Sequence, residues 1–262
     1  MDSIIRDNRE RWDELARANV MHSQPYLDYT YEEAAEDVYQ HNILKDVKDQ
    51  KVLCLASGGG QNSVAFALLG ADVTVLDLSE VQLSKDREAA LHYGFQVETV
   101  QGDMRDLSVF PDNRFDIVWQ PYSLNYSPEV EPVFAEVARV LRPGGVYHVV
   151  FANPFTQALH DTWNGTAYLL SRPYIDGEDM SRYDPHWGVP QADGSTVTVE
   201  RPHEFRHNLS TVMNSMAKNG FVFLHLQEWI RPDENPEPGS WPHFTQTAPP
   251  WFDSFWRLSE HG

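Results

Sequence analysis

The 262-residue chain is 41% hydrophobic, enough for one large α/β core and short for two full-sized domains. Its 39 acidic against 20 basic residues give a formal charge of -19, a field that repels phosphate backbones and anionic headgroups, and no Lys/Arg-rich run interrupts it. Neither nucleic acid nor membrane is an expected partner: no stretch approaches the roughly 18 to 20 consecutive apolar residues of a membrane span. Cys54, the one cysteine, leaves no internal disulfide and no multi-cysteine zinc site. The N-terminal stretch is charged from its second residue and lacks the apolar segment of a secretory signal. A cytoplasmic protein, monomeric or homodimeric, is expected.

The spacing of Ile4, Ile5, Trp12, Leu15 and Ala16 predicts an amphipathic helix over 3–19, and a second helical stretch lies near 31–43. From residue 51 the texture changes. VLCLAS is an apolar run of strand length, Gly58-Gly59-Gly60 is a turn, and NSVAFALLG has helical spacing closed by Gly70. ADVTVLDLS supplies a second strand with Ser79 as a helix N-cap, and VQLSKDREAALHYG a helix ending at Gly94. FQVETVQGD is strand three and RFDIVWQ strand four. The helix in PEVEPVFAEVARVLRPGG is stopped by Pro143 and two glycines, and VYHVVFAN is strand five.

Strands alternating with helices predict parallel pairing through right-handed crossovers. Residues 153–207 break the rhythm with aromatics, prolines and only short strand candidates such as STVTVE, and read as an insertion or lid. A helix near 208–219, a strand FVFLHLQEW, a Pro-rich connection over 232–250 and a final strand WFDSFWRLS complete the pass. The organisation is thus one domain: a helical N-terminal cap over 1–45, a core over 50–152, the insertion, and the C-terminal part of the core over 208–262.

The glycine turn joins the first strand to its helix, where a missing side chain lets a ligand approach backbone N–H groups. Asp77 ends the second strand about 20 residues beyond it, where a βαβ unit sets an acid against ribose hydroxyls. Strand three runs into Gly102-Asp103-Met104, which brings another carboxylate to the same crevice, able to accept from an adenine amine. With these three elements in order, the stretch from about 50 to 152 resembles the class I S-adenosylmethionine-dependent methyltransferases of small-molecule type, including FDIVWQPYS and RVLRPGG.

The resemblance implies a doubly wound, Rossmann-like, mostly parallel seven-stranded sheet with helices on both faces. It implies S-adenosyl-L-methionine as cofactor, S-adenosyl-L-homocysteine as product, and methyl transfer to an O or N atom of a small molecule. Position by position it places Gly58, Gly59 and Gly60 against the methionine and ribose portions, Asp77 on the ribose diol, and Gly102, Asp103 and Met104 at the adenine. Ser57, Gln61, Leu78 and the backbone around Gln120 are further contacts. Two positions depart from the family pattern: Cys54 stands where an acid is usual, and Ala56 where glycine is. They prompt one alternative, a non-catalytic module that keeps the cofactor pocket; an NAD-dependent oxidoreductase, which fits the first two elements, is another.

Displacement at a sulfonium mainly requires alignment and exclusion of water, with a general base useful for a hydroxyl or protonated amine. His160, His203 and His207 are the histidine candidates, and Tyr122 follows strand four at the edge of the crevice. Candidate catalytic residues are therefore His203, His207 and Tyr122; Tyr26, Tyr122, Asn125, His160 and Trp163 are candidate substrate contacts. Trp12, Tyr26 and Tyr29 are expected to close over the cofactor. No carboxylates follow strand four, so no metal is expected.

Overall fold

The computed structural model describes residues 3–20, 23–159, 163–190, 195–230 and 235–260. One sheet organises them, with strand order β3-β2-β1-β4-β5-β9-β8. β1 (Lys51–Leu55), β2 (Asp72–Asp77), β3 (Val97–Gln101), β4 (Phe115–Gln120) and β5 (Leu141–Ala152) run parallel, while β9 (Trp251–Leu258) is antiparallel to both β5 and β8 (Phe221–Glu228). The chain reverses direction of strand addition at β1, so the crevice above β1 and β4 is the switch point of the sheet, where open α/β sheets bind ligands.

Two apolar layers hold the sheet between helices. On one face α2 (Tyr31–Tyr39), α3 (Asn62–Leu68) and α4 (Glu80–Tyr93) cover Val52, Cys54, Val73, Val75, Ile117 and Trp119. On the other, α5 (Glu131–Val140) and α6 (Leu209–Lys218) cover Leu53, Leu55, Val118, Tyr147 and Val149. The alternation along β1 (52 and 54 one way, 53 and 55 the other) is the strand period, and burial on both faces is why the run reads as continuously apolar. Local signals set the helix ends: Ser79 Oγ accepts from Gln82 N at the start of α4, Gly94 closes it in the left-handed region, and Thr30 and Glu33 form a capping box at α2.

α1 (Ser3–Arg17) lies against α4 and against the hairpin of β6 (His186–Pro190) and β7 (Thr196–Glu200), where Leu15, Val20 and Val189 form a small core with Trp12, Trp187 and Val199 around it. The segment after β5 thus folds back against α1. The structure corrects two boundaries. The helix expected to run into Pro143 ends at Val140, and β5 begins at once at Leu141; the Pro-Gly-Gly residues form an irregularity where the register jumps from Phe115↔Leu141 to Ile117↔Val146. The Pro-rich connection contains α7 (Trp241–Thr247), capped by Ser240, with Pro242 in the first turn, where no N–H is needed.

Candidate functional site

The β1–α3 turn owes its shape to two carboxylates. Gly58 N donates to Asp77 Oδ2 at 2.9 Å, and Ser79 N donates to Asp77 Oδ1 at 2.8 Å, so Asp77 stands at the end of β2 bridging both βα turns. A Cβ on Gly58 would lie 2.7 Å from Gln82 Cβ and 3.1 Å from the Asp77 carboxyl carbon: the backbone passes too close for any side chain. Ala56 takes φ +47°, the left-handed region that glycine tolerates best. This turn keeps glycine's conformation at a position where the residue itself is alanine.

The turn opens onto a cavity of about 1310 Å³. Pockets for one small ligand run to roughly 300–1,000 Å³, so this one has room for a cofactor together with an acceptor. Its end beside the turn is lined by Ser57, Gly58, Gln61, Asp77, Leu78, Gln82, Gly102, Asp103 and Met104. Ser57 Oγ and Gln82 Oε1 are buried there with no hydrogen-bond partner, the condition of polar groups awaiting a ligand. Burial pushes the Asp77 carboxyl up to about 6, its backbone hydrogen bonds pulling the other way. Asp103 is paired with Arg105 at 2.8 Å and still lines the cavity.

Several sequence candidates lie off this wall. The Gly59 and Gly60 N–H groups point to the buried Asp86 carboxylate, at 3.0 and 3.1 Å. Gln120 is fully buried on the other sheet face, its amide nitrogen 3.3 Å from Met104 Sδ and its oxygen accepting from Tyr147. Its side chain backs Met104 rather than meeting the cavity.

The far end of the cavity lies over the sheet beyond α3. Trp119 from β4, His148, Val150 and Ala152 from β5, and Trp251 and Asp253 from β9 form its floor. Trp12 and Asn8 from α1, Tyr122 and Tyr126 from the loop after β4, Trp187 and Arg201 from the insertion, and Trp241 and Phe244 from α7 enclose it. Asn8 fastens this cover: its amide donates to the carbonyls of Tyr126 (3.0 Å) and His203 (3.1 Å) and accepts from His203 N at 2.6 Å.

On the floor, His148 Nε2 lies 2.8 Å from Asp253 Oδ1, and the imidazole stacks on Trp119 with ring centroids 3.6 Å apart. His148 Nδ1 is buried without a partner. With Nε2–H donating to the carboxylate, Nδ1 carries a lone pair and can take a proton. This pair was missed by sequence reasoning. The available signal was a histidine in the apolar run VYHVVFA and an aspartate in WFDSFW, since a buried ionisable group is the informative exception in such a run.

Two of the three histidine candidates, His203 and His207, do not line the cavity. His203 bonds Asp179 at 2.7 Å outside it. His207 is buried and donates to Ser127 O at 2.9 Å, with burial holding its pKa below the ordinary imidazole value. His160 lies outside the described residues. Tyr122 does line the cavity, but its hydroxyl donates to Glu204, and burial with that neighbouring charge drives its pKa far up, so it remains protonated. Glu204, itself buried, also accepts from Gln157 Nε2 at 3.1 Å and Arg201 at 2.9 Å.

Asn125 is spent on structure: Ala152 N donates to its oxygen and its amide donates to Phe205 O, both at 2.8 Å, tying the β4 loop to β5 and the insertion. Trp163 packs on Tyr168 and His243 behind α7, off the cavity wall. Tyr26 is 40% exposed against Tyr29, and its backbone N–H bonds Gly60 O at 3.1 Å, bracing the turn from outside. Of the aromatics expected to close over the cofactor, Trp12 alone lines the cavity.

Comparison with known proteins accords with this geometry. Residues 53–149 match the family described as Methyltransferase domain. YbaJ of Bacillus subtilis (strain 168), named an uncharacterized methyltransferase, is 33% identical over 242 residues, covering 87% of this chain and 91% of its own. A sterol 24-C-methyltransferase, ERG6B of Gibberella zeae, is 28% identical across 79% of this chain and 48% of its own length. The glycine/sarcosine/dimethylglycine N-methyltransferase of Actinopolyspora halophila is 36% identical across 66% of this chain, which spans 35% of that enzyme. In fold, an S-adenosylmethionine-dependent methyltransferase of Mesorhizobium loti superposes with a TM-score of 0.62 at 21% identity, over 88% of this chain and all of that one.

The chain therefore belongs to the class I S-adenosylmethionine-dependent methyltransferases. It is an enzyme, and its cofactor is S-adenosylmethionine, which removes the NAD-dependent and non-catalytic alternatives. The orphaned Ser57 and Gln82 atoms, the bare approach at Gly58 and the half-buried Asp77 carboxylate fit that cofactor's hydroxyl and amine donors and its positive charge.

Proposed function

We propose that this methyltransferase methylates an oxygen or nitrogen of a small molecule seated in the aromatic chamber over β4, β5 and β9. The observation that carries the reading is the His148–Asp253 pair on the chamber floor. A hydroxyl or a protonated amine must give up its proton for the lone pair to attack the methyl carbon, and a base at the acceptor is what such a pair supplies.

Bound adenosylmethionine supplies a methyl carbon activated by the sulfonium, which departs as the neutral thioether with the bonding electron pair. The chain's own residues do the rest. Ser57, Gly58, Asp77 and Asp103 hold the adenosine and methionine portions, and the tryptophans of the chamber exclude water. His148 Nδ1 receives the acceptor's proton, and Asp253 keeps the imidazole in the tautomer that leaves Nδ1 unprotonated. Tyr122, fixed through Glu204, serves as a wall and a polar rim for the acceptor.

The nitrogen-methylating relative supports the reading, and the sterol relative, a carbon methylator by name, is its competitor. The test is transfer of a labelled methyl group from adenosylmethionine to a metabolite panel that includes sterols, amino acids, amines and phenols. Label on oxygen or nitrogen, with turnover that falls in His148→Gln, is the expected result. Label on carbon, or turnover indifferent to His148, would sink the proposal.

A further inference from the structure

We propose that Asp86 is the positioning residue of the cofactor turn: from α4 its carboxylate holds Gly59, Gly60 and the first turn of α3 in the shape that leaves Ser57 and Gly58 open to adenosylmethionine. The geometry is complete within the protein. Oδ2 accepts from Gly59 N at 3.0 Å; Oδ1 accepts from Gly60 N at 3.1 Å and from Ser63 Oγ at 2.6 Å. Asp86 is fully buried, touches no cavity wall, and sits beneath the turn next to Cys54, whose thiol it helps hold in the neutral form.

A buried carboxylate is costly unless every lone pair it offers is used, so its presence here calls for a reason. Three donors converge on two oxygens. An asparagine would offer one oxygen and turn an N–H donor towards another donor, and a protonated carboxyl would do the same with O–H. Only the ionised form satisfies all three. Asp86 thus delivers a carboxylate from α4 to the underside of the β1–α3 turn.

The groups facing Asp86 are few. Cys54 on β1 is uncharged, Ser63 on α3 is neutral, and Asp77 on β2 is the charge that acts on it; on α4 itself Lys85 and Glu88 pair with each other at 3.7 Å. Burial first, and Asp77 further, push the Asp86 carboxyl up to about 7, against its hydrogen bonds. The turn should therefore tighten as pH rises through neutrality. Because the ionised form is the competent one, cofactor affinity rises with pH across that range; Asp77, at about 6, adds a second, lower step.

The test is calorimetric titration of the full chain with S-adenosylhomocysteine and S-adenosylmethionine between pH 5.5 and 8.5. In the wild type, affinity should climb by about tenfold between pH 6 and pH 8. Asp86→Asn should bind about tenfold or more weakly at pH 8 and lose the upper step while keeping the lower one. Ser63→Ala, which removes one of the three bonds and leaves the two backbone bonds, should fold normally and move the upper step to higher pH. An Asp86 that merely stabilised the fold would lower the melting temperature of Asp86→Asn and leave affinity and its pH slope as in the wild type. That result overturns the proposal, as does a wild-type affinity flat between pH 6.5 and 8, or a Ser63→Ala step that stays where it was.

Discussion

The two ends of the cavity are built by different means. At the β1–β2–β3 end the wall is made by the βα turns, and the acids that shape it, Asp77 and Asp86, bond N–H groups of the first turn from 19 to 27 residues away. At the β4–β5–β9 end the wall is made by large side chains brought together from across the chain: His148 meets Asp253 at a separation of 105 residues, and Tyr122 meets Glu204 at 82. The first is a local motif that one βαβ unit can encode; the second exists only once the sheet closes and the insertion folds over it.

That separation can be broken by mutation, and the largest effect is expected at the far end. His148→Gln should lower turnover by about 10²- to 10⁴-fold, the usual range for a lost general base, while calorimetric affinity for adenosylhomocysteine stays within about twofold of wild type. Equal loss of both would mean that the two ends are one unit. Gly58→Val comes next. With a Cβ 2.7 Å from Gln82, either the turn or α4 must shift, so cofactor binding should fall by about 100-fold or more in a protein that still shows the wild-type circular dichroism spectrum.

Asp77→Ala removes an acceptor of charged hydrogen bonds and should weaken cofactor binding by roughly 1 to 3 kcal/mol. Unchanged affinity in a folded variant would remove Asp77 from the ribose. The smallest effect is assigned to His203→Ala. Its ring is 34% exposed and bonded to Asp179 outside the chamber, so kcat should stay within about threefold of wild type. A loss on the scale of His148→Gln would return His203 to the chemistry and displace the pair on the floor.

The fold was legible because strand and helix periods are local properties. VLCLAS, ADVTVLD and RFDIVWQ announce buried strands, and Ser79 and Gly94 mark the ends of α4 in the residues that make its caps. The elements that escaped are those where one residue type serves two ends: Pro242 reads as a breaker and stands in the first turn of α7, and the Pro143-Gly144-Gly145 turn lies inside β5.

The cofactor end was legible in part. Asp77, Gly58 and Asp103 line the cavity, whereas Gly59 and Gly60, adjacent in sequence, turn their N–H groups towards Asp86, a direction that composition does not carry. The chamber was largely illegible. His203 and His207 are the histidines that the sequence offers as bases, yet Asp179 holds the first and burial with a backbone partner the second. His148 is hidden in an apolar strand, and its significance depends on Asp253 arriving from the last strand of the sheet.

The most direct test of the account is a crystal structure of the protein with S-adenosylhomocysteine. The ribose hydroxyls should lie within hydrogen-bond distance of the Asp77 carboxylate, the adenine beside Asp103 and Met104, and the sulfur should face the chamber floored by His148. A nucleoside bound away from Asp77, or a sulfur turned from the β4–β5–β9 chamber, would contradict it.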